Sequence, residues 1–297
     1  MPTTDTPGTP GTPGSPDPGS RPPSPQPPPP QPSPASPRAL SFDRAAAQYG
    51  AARPGYPDAL LDAVEELAGR PLRGARALDV GAGTGISTRR LRDRGAAVVA
   101  VEPGPGMAAE LRRSLPDVPL VRGDGNHLPF AAASADLITY AQSWHWTDSA
   151  RAAPEAMRVL RPGGALALWW NVADPGVGWI AEQGARLLGF FATELPELAG
   201  PGAPGGPAAA HTGAHGSPVS ARDLPAGLTF VHRRVPWTRR VPLDTHLANL
   251  GSHSAFLVLG DEPAGRFLSE EREHLARRFP DGLVEETYVV ELSVTIR

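Results

Sequence analysis

The chain has 297 residues, with 28 basic and 31 acidic side chains for a net charge of −3, and it contains no cysteine. The missing thiols exclude disulfides, thiolate metal sites and cysteine nucleophiles. The near balance of charge leaves no electrostatic footprint for nucleic acid or an anionic membrane, and no apolar run approaches the roughly 20 residues of a membrane span.

Residues 1–37 are almost wholly Pro, Ser, Thr and Gly. They have little to bury and are expected to stay disordered, partly as polyproline II, as a tail that needs no partner, with docking of the prolines at 27–30 in an aromatic groove as the alternative. The start shows no basic region followed by an apolar one, so a cytoplasmic protein is expected. Folding is expected over 38–297. A short helix at 42–49 leads to Arg53-Pro54-Gly55-Tyr56-Pro57. Residues 57–68 predict a helix with Leu60, Leu61, Val64 and Leu67 on one face.

The most informative stretch is Ala75-Arg76-Ala77-Leu78-Asp79-Val80-Gly81-Ala82-Gly83-Thr84-Gly85-Ile86-Ser87. A short apolar strand breaks into alternate glycines, and a helical pattern resumes beyond them. Strand, glycine turn and helix make the first corner of a nucleotide-binding α/β sheet. Gly81, Gly83 and Gly85 can take positive φ and let a ligand approach the backbone, while the helix start offers free N–H groups. A second apolar run, Ala97-Val98-Val99-Ala100-Val101, ends in Glu102. That carboxylate lies about 20 residues past the glycines, where one meets a ribose in dinucleotide folds. A dinucleotide fingerprint would need glycine at 86, and Ile86 stands there. Asp79 would repel a diphosphate and suits a cation better. S-adenosylmethionine, with its ammonium and sulfonium, is a ligand of that kind.

Further along, 107–115 predicts a helix, 118–122 a strand followed directly by Asp124 and Gly125, and 135–141 a fourth strand. Asp136 lies at the end of that strand away from the site. Gln142-Ser143-Trp144-His145-Trp146 lies at its carboxyl end, the crevice side of an open α/β sheet. His145 between aromatics is a candidate base or orienting donor, with shaping of the pocket as the alternative. Residues 154–160 predict a helix stopped by Arg161-Pro162-Gly163-Gly164, and 165–171 a fifth strand.

Leu78-Asp79-Val80-Gly81-Ala82-Gly83-Thr84-Gly85 resembles the first motif of class I S-adenosylmethionine-dependent methyltransferases. Val101-Glu102-Pro103 with Met107, Gly123-Asp124-Gly125-Asn126-His127-Leu128-Pro129-Phe130, the stretch from Ala135 to Ser143, and the stretch from Ala156 to Gly164 resemble the later ones. The branch resembled is the small-molecule one, with the ubiquinone/menaquinone-biosynthesis and trans-aconitate methyltransferases. The resemblance implies a Rossmann-like α/β fold: a seven-stranded, mostly parallel sheet with an antiparallel last strand and helices on both faces. Its cofactor-binding core would span 38–172. It implies S-adenosyl-L-methionine as cofactor, with Asp79, Gly81, Gly83, Glu102, Met107, Asp124, Gly125 and Gln142 as its contacts. Met107 would touch the adenine face, Asp124 and Gly125 the adenine edge, and Gln142 with Ser143 the methionine end. Tyr49 and Arg53 would lie over the cofactor mouth or clamp a substrate carboxylate, and Trp144, Trp146 and Asn171 would wall the acceptor pocket. His145 is the catalytic candidate. Core packing for Met107, Tyr49 and Arg53, and a local turn for Asp124, are the competing roles.

Residues 173–297 are expected to cover the acceptor and supply the last strands. A helix at 178–191 precedes a Gly/Pro/Ala/His-rich insertion at about 200–218. His211 and His215 stand four apart, but nearby glycines and prolines argue against a helix, so no metal site is expected. Residues 229–237 predict a strand. Arg233, Arg234, Arg239 and Arg240 form a basic cluster better suited to a solvated edge than to nucleic acid. A helix at 243–259 carries the polar candidates Ser252, His253 and Ser254. A further helix is expected to open at Ser269, and 286–297 alternates as a strand. The expected activity is in-line methyl transfer to a small-molecule acceptor, with neither nucleic acid nor membrane as partner. The rivals are a macromolecule methyltransferase, a dehydrogenase and a binding module without turnover. The first is disfavoured because Gln142-Ser143-Trp144-His145 stands where amino-methylating enzymes often carry an Asn/Asp-Pro-Pro-aromatic turn.

Overall fold

Seven strands form one sheet: β1 (Arg76–Val80), β2 (Ala97–Val101), β3 (Leu120–Val121), β4 (Ala135–Ala141), β5 (Leu160–Ala173), β6 (Val231–Pro242) and β7 (Leu283–Ile296). Their order is β3-β2-β1-β4-β5-β7-β6. The first five run parallel, and β7 pairs antiparallel with both β5 and β6. The chain reverses its direction of travel across the sheet between β1 and β4, which opens a crevice at their carboxyl ends. This computed structural model describes residues 52–195, 224, 225 and 227–297. The expected disordered tail, the helix at 42–49 with Tyr49, and the insertion with His211 and His215 lie outside the described residues.

Period two sorts each strand onto two faces. Ala77 of β1, Leu137 of β4, and Ala165, Ala167 and Trp169 of β5 join one cluster. That cluster packs against Leu60, Leu61 and Val64 of α1 (Asp58–Ala68) and Leu91 of α2 (Ile86–Asp93). Leu78 and Val80, Ile138 and Tyr140, and Leu166, Leu168 and Trp170 join the opposite cluster, under Ala152, Ala156 and Val159 of α4 (Ser149–Val159). α3 (Pro105–Ser114) links β2 to β3, and its Leu111 packs with Ala100. Strands buried on both faces read as continuous apolar runs, which is why β1, β2 and β4 were legible.

The second half adds α5 (Gly178–Glu194), α6 (Leu243–Gly251), α7 (Ser254–Leu259) and α8 (Asp261–Arg278). Phe190 and Phe191 of α5 meet Phe256 of α7 and Phe267 of α8, the closest ring pairs lying 4.7 and 4.9 Å apart. Such aromatic pairs add about 0.5–1.5 kcal/mol each beyond area burial. Among the described residues no helix is long and apolar enough to cross a membrane.

Several boundaries differ from expectation, and the helix expected over 243–259 is two, α6 and α7, parted at Ser252 and His253. α4 begins at Ser149 rather than at Pro154, because the Asp148 side chain accepts from Ala150 N and caps it there. α8 begins at Asp261, so Ser269 lies inside the helix and caps nothing. Its acids Asp261 and Glu262 favour that earlier start. Residues 161–164 do not form a separate turn. They bulge within β5, where Ala135 pairs with Leu160 but Leu137 pairs with Ala165. Asp136, at this far end of the sheet, accepts from Arg76 N at 2.7 Å and pairs with Arg161 at 2.6 Å and Arg70 at 3.3 Å. Of the basic cluster, Arg233, Arg239 and Arg240 pair with Glu66, Glu286 and Asp281.

Candidate active site

The glycine turn between β1 and α2 forms the floor of a cleft of about 180 Å³ at the carboxyl ends of the parallel strands. Gly81 has φ +69°, and a Cβ there would fall 2.4 Å from Ser143 Cβ, so only glycine lets this turn pass β4. Gly83, at φ +58°, has nothing within 4 Å of where a Cβ would sit, and its backbone is open to the cleft. Ile86 and Ser87, the first residues of α2, line the same space, so the positive end of that helix borders the cleft.

Asp79 takes a different place from the one expected. Alternation along β1 puts it on the α2 face with Ala77, behind the turn, and it does not line the cleft. Its carboxylate is fully buried and accepts from Thr88 Oγ1 at 2.7 Å, Thr139 Oγ1 at 2.8 Å and Ser87 Oγ at 3.3 Å. Burial pushes its pKa up, and the three hydroxyls partly oppose that shift. Asp79 therefore ties β1, β4 and α2 together.

Glu102 does face the cleft. Its Oε2 accepts from Gly83 N at 2.8 Å and its Oε1 from Gly104 N at 2.7 Å, which fixes the carboxylate at the end of β2 with lone pairs to spare. Met107 is buried and still borders the cleft, so packing and lining coincide in one side chain. Asp124 does the same for its two roles. Its Oδ1 accepts from Asn126 N at 3.0 Å and His127 N at 3.1 Å, and the residue lines the cleft. Gly125 lines it too. A Cβ on Gly125 would approach Tyr140 Cε1 and Thr147 Cγ2 to 2.8 Å.

After β4 the side chains diverge. Gln142 has φ +54°, an uncommon conformation for a residue other than glycine, and it borders the cleft. Residues 144–146 form a single 3₁₀ turn, in which successive side chains point about 120° apart. Trp146 faces the cleft. Trp144 does not wall it. That ring is buried in the core, edge-on to Tyr140 at 4.8 Å. His145 is exposed and lies outside the cleft lining, its Nδ1 accepting from Trp170 Nε1 at 3.4 Å. Trp169 is core, edge-on to Tyr56.

A second chamber, of about 70 Å³, shares Arg53, Pro54 and Gln142 with the cleft. Asn171 lines it, donating to Gly55 O and accepting from Trp237 Nε1. Its remaining walls come from α5, α6 and β7, including Trp179, Asn249 and Tyr288. His253 lines it as well, whereas Ser252 is buried and donates to Asn249 O. A buried polar chain runs along its wall, where Gln183, His246 and Glu286 line the chamber. Arg186 grips Glu271 at 2.7 Å, Gln183 Nε2 lies 2.9 Å from Glu271 and 3.0 Å from His246 Nε2, and His246 Nδ1 lies 2.7 Å from Glu286. Arg239 closes the chain on Glu286. Burial acts to raise the pKa of Glu286, but His246 and Arg239 outweigh it and hold the carboxyl below the usual range. Arg186 and Gln183 do the same for Glu271 against its burial. Sequence reasoning named Arg53, Gln142, Asn171 and His253 of this chamber but missed the polar chain. It also missed Thr84, Ser87, Tyr140 and Thr147 in the cleft lining.

Comparison with known proteins agrees with this geometry. The sequence profile described as a methyltransferase domain matches residues 78–168. An uncharacterized methyltransferase of Mycobacterium tuberculosis is 36% identical over 240 residues, covering 80% of this chain and 86% of that relative. A demethylmenaquinone methyltransferase of Beutenbergia cavernae is 43% identical over 134 residues, covering 45% of this chain and 54% of that relative. A solved structure from Anaeromyxobacter dehalogenans, presented as a candidate type II methyltransferase, aligns with a TM-score of 0.61 at 25% identity. It covers 82% of this chain and 97% of that one. On its fold, its glycine turn and these relatives, the chain belongs to the methyltransferase-domain family.

Proposed function

We propose that this chain is an S-adenosylmethionine-dependent enzyme that transfers a methyl group to a small-molecule acceptor. The observation that carries this reading is the cleft itself, where acidic side chains and a helix N-terminus border one space. Glu102 and Asp124 favour a cationic and hydroxylated ligand, and the start of α2 favours a carboxylate. A ligand with a ribose, a sulfonium and an amino-acid end matches that mixture. Thr84 Oγ1, buried and without a partner, also lines the cleft and suits a polar ligand group.

In this reading Glu102 accepts from the ribose hydroxyls, and Met107, Asp124 and Gly125 border the adenine. Gln142 and Ser143 hold the methionine end, and Gly81 and Gly83 let the ligand lie close to the backbone. Asp79 acts at one remove, by fixing the turn. The cofactor supplies a methyl group that is already activated. The protein's share is then to hold donor and acceptor in line at near-attack distance, which is worth several kcal/mol without a metal. Gln142, whose side chain borders both spaces, stands at the junction where the methyl group would cross. The modest size of the second chamber favours a compact acceptor over a macromolecule. His145, turned onto Trp170, is left with a shaping role.

Calorimetry tests the cofactor. S-adenosylhomocysteine is expected to bind in the micromolar range while NADH does not, and the reverse result ends the proposal. A screen of small metabolites scored by release of S-adenosylhomocysteine separates an enzyme from a binding module.

A further inference from the structure

The hydrogen bonds that α5, α6 and β7 bring to the second chamber can be followed group by group. His246 directs Nδ1 at Glu286, which only accepts, so Nδ1 carries the proton and Nε2 accepts from Gln183. Gln183 must present its amide nitrogen on this side, because its other contact is the Glu271 carboxylate. Glu286 accepts from His246 and Arg239 and keeps lone pairs for a third donor. Tyr288 is held protonated by burial and by the adjacent Glu286 carboxylate. The Tyr288 proton is drawn toward that carboxylate. Its oxygen therefore accepts from Asn249 Nδ2 at 3.2 Å.

One atom remains. Asn249 Oδ1 is buried and has no partner, on a side chain only 5% exposed that lines the chamber. An unpaired buried carbonyl costs about 1–3 kcal/mol, and this one is relieved by a ligand that donates to it. More of the exposed wall is apolar than polar, with Trp179, Ile180, Leu187 and Leu250 contributing, while Arg53, Gln142, Asn171 and His253 line it as well. Glu286, which lines the chamber, is already paired with His246 and Arg239.

We propose that the second chamber is the acceptor site and that it selects a compact, uncharged, largely apolar molecule carrying one hydroxyl or N–H that donates to Asn249 Oδ1. This inference rests on the cleft next to it holding the methyl donor. Asn249 acts as a specificity residue: it orients the acceptor from the wall that α6 supplies. An isostere without the donor would leave Oδ1 unpaired, and sites of this kind reject such analogues strongly.

The test uses the full chain saturated with S-adenosylhomocysteine and pairs of equal-sized probes, with phenol and aniline each compared against toluene. Binding is followed by NMR on the Trp179 indole N–H. Phenol and aniline are expected to shift that signal and to bind at least about tenfold more tightly than toluene, although toluene is the more hydrophobic. In Asn249→Leu that preference should vanish while affinity for S-adenosylhomocysteine is kept. Equal or tighter binding of toluene, no shift at Trp179 with any probe, or an undiminished preference in Asn249→Leu would each overturn the proposal. Should Asn249→Leu fail to fold, the comparison in the unaltered protein still decides. Loss of S-adenosylhomocysteine binding by the unaltered protein would instead strike the cofactor reading, so the two failures are distinguishable.

Discussion

Glu102→Ala is the substitution whose effect follows most directly from the geometry. In the folded protein its two oxygens are held at 2.8 and 2.7 Å by the backbone N–H groups of Gly83 and Gly104, and the side chain is 6% exposed. Truncation frees two N–H groups at the edge of an open cleft, where water can replace the carboxylate, so the cost to folding is small. The cost to the ligand is not. Charge-assisted hydrogen bonds from the ribose hydroxyls are lost, worth about 1–3 kcal/mol in total, which raises Kd by about 5- to 150-fold. Titration calorimetry with S-adenosylhomocysteine measures that change, and thermal unfolding checks that the variant is folded. Glu102→Gln, which keeps the shape and one acceptor oxygen, should lose less. Unchanged affinity in a folded Glu102→Ala protein would refute the ribose assignment.

Gly81→Ala forces a side chain into the left-handed region and against Ser143. It should cost about 2 kcal/mol, a fall of about 4–8 °C in Tm, and weaken S-adenosylhomocysteine binding, and no change in either would show that the turn is not held as described. His145→Ala should keep turnover within about fivefold of the parent in steady-state kinetics, since the ring is exposed and lies outside the cleft lining, and a far larger drop would return it to the chemistry. The buried carboxylates give a pH signature. Glu271 and Glu286 are held below the ordinary value of 4.5, so the unfolded chain binds their protons first as pH falls. The stability they contribute is present above about pH 4.5 and drains away as pH drops through their lowered native values. Urea midpoints should therefore fall on acidification, and Glu286→Gln, less stable at neutral pH, should show a shallower fall. Parallel curves would contradict the ion-pair assignment.

The sheet was legible because its information is local. Ala77 to Val80 and Ala135 to Ala141 are apolar on both faces, and Gly81, Gly83 and Gly85 mark one turn unmistakably. Glu102 was legible for the same reason, as the last residue of an apolar run. The side chains beyond β4 were not, because a three-residue turn aims Trp144, His145 and Trp146 in different directions. Their order in the chain gives no hint of which one faces the cleft. Asp79 was misplaced because its nearness to the glycines in sequence hides the alternation that turns it toward Ser87 and Thr88. The second chamber joins Asn171, Gln183, His246 and Glu286, residues from four separate elements. No local pattern announces contacts of that range. Pro154 and Ser269 misled in the opposite way, since each carries a helix-start signal and each lies inside a helix that begins upstream.

The central claim is that a cationic methyl carrier lies across the glycine turn with its reactive end toward the second chamber. A crystal structure of the protein soaked with S-adenosylhomocysteine tests it most directly. The account predicts density between Glu102 and Gly83, with the adenine beside Met107 and Asp124 and the sulfur at Gln142. A ligand found outside this cleft, or one lying in it with the sulfur turned away from Gln142, would contradict it.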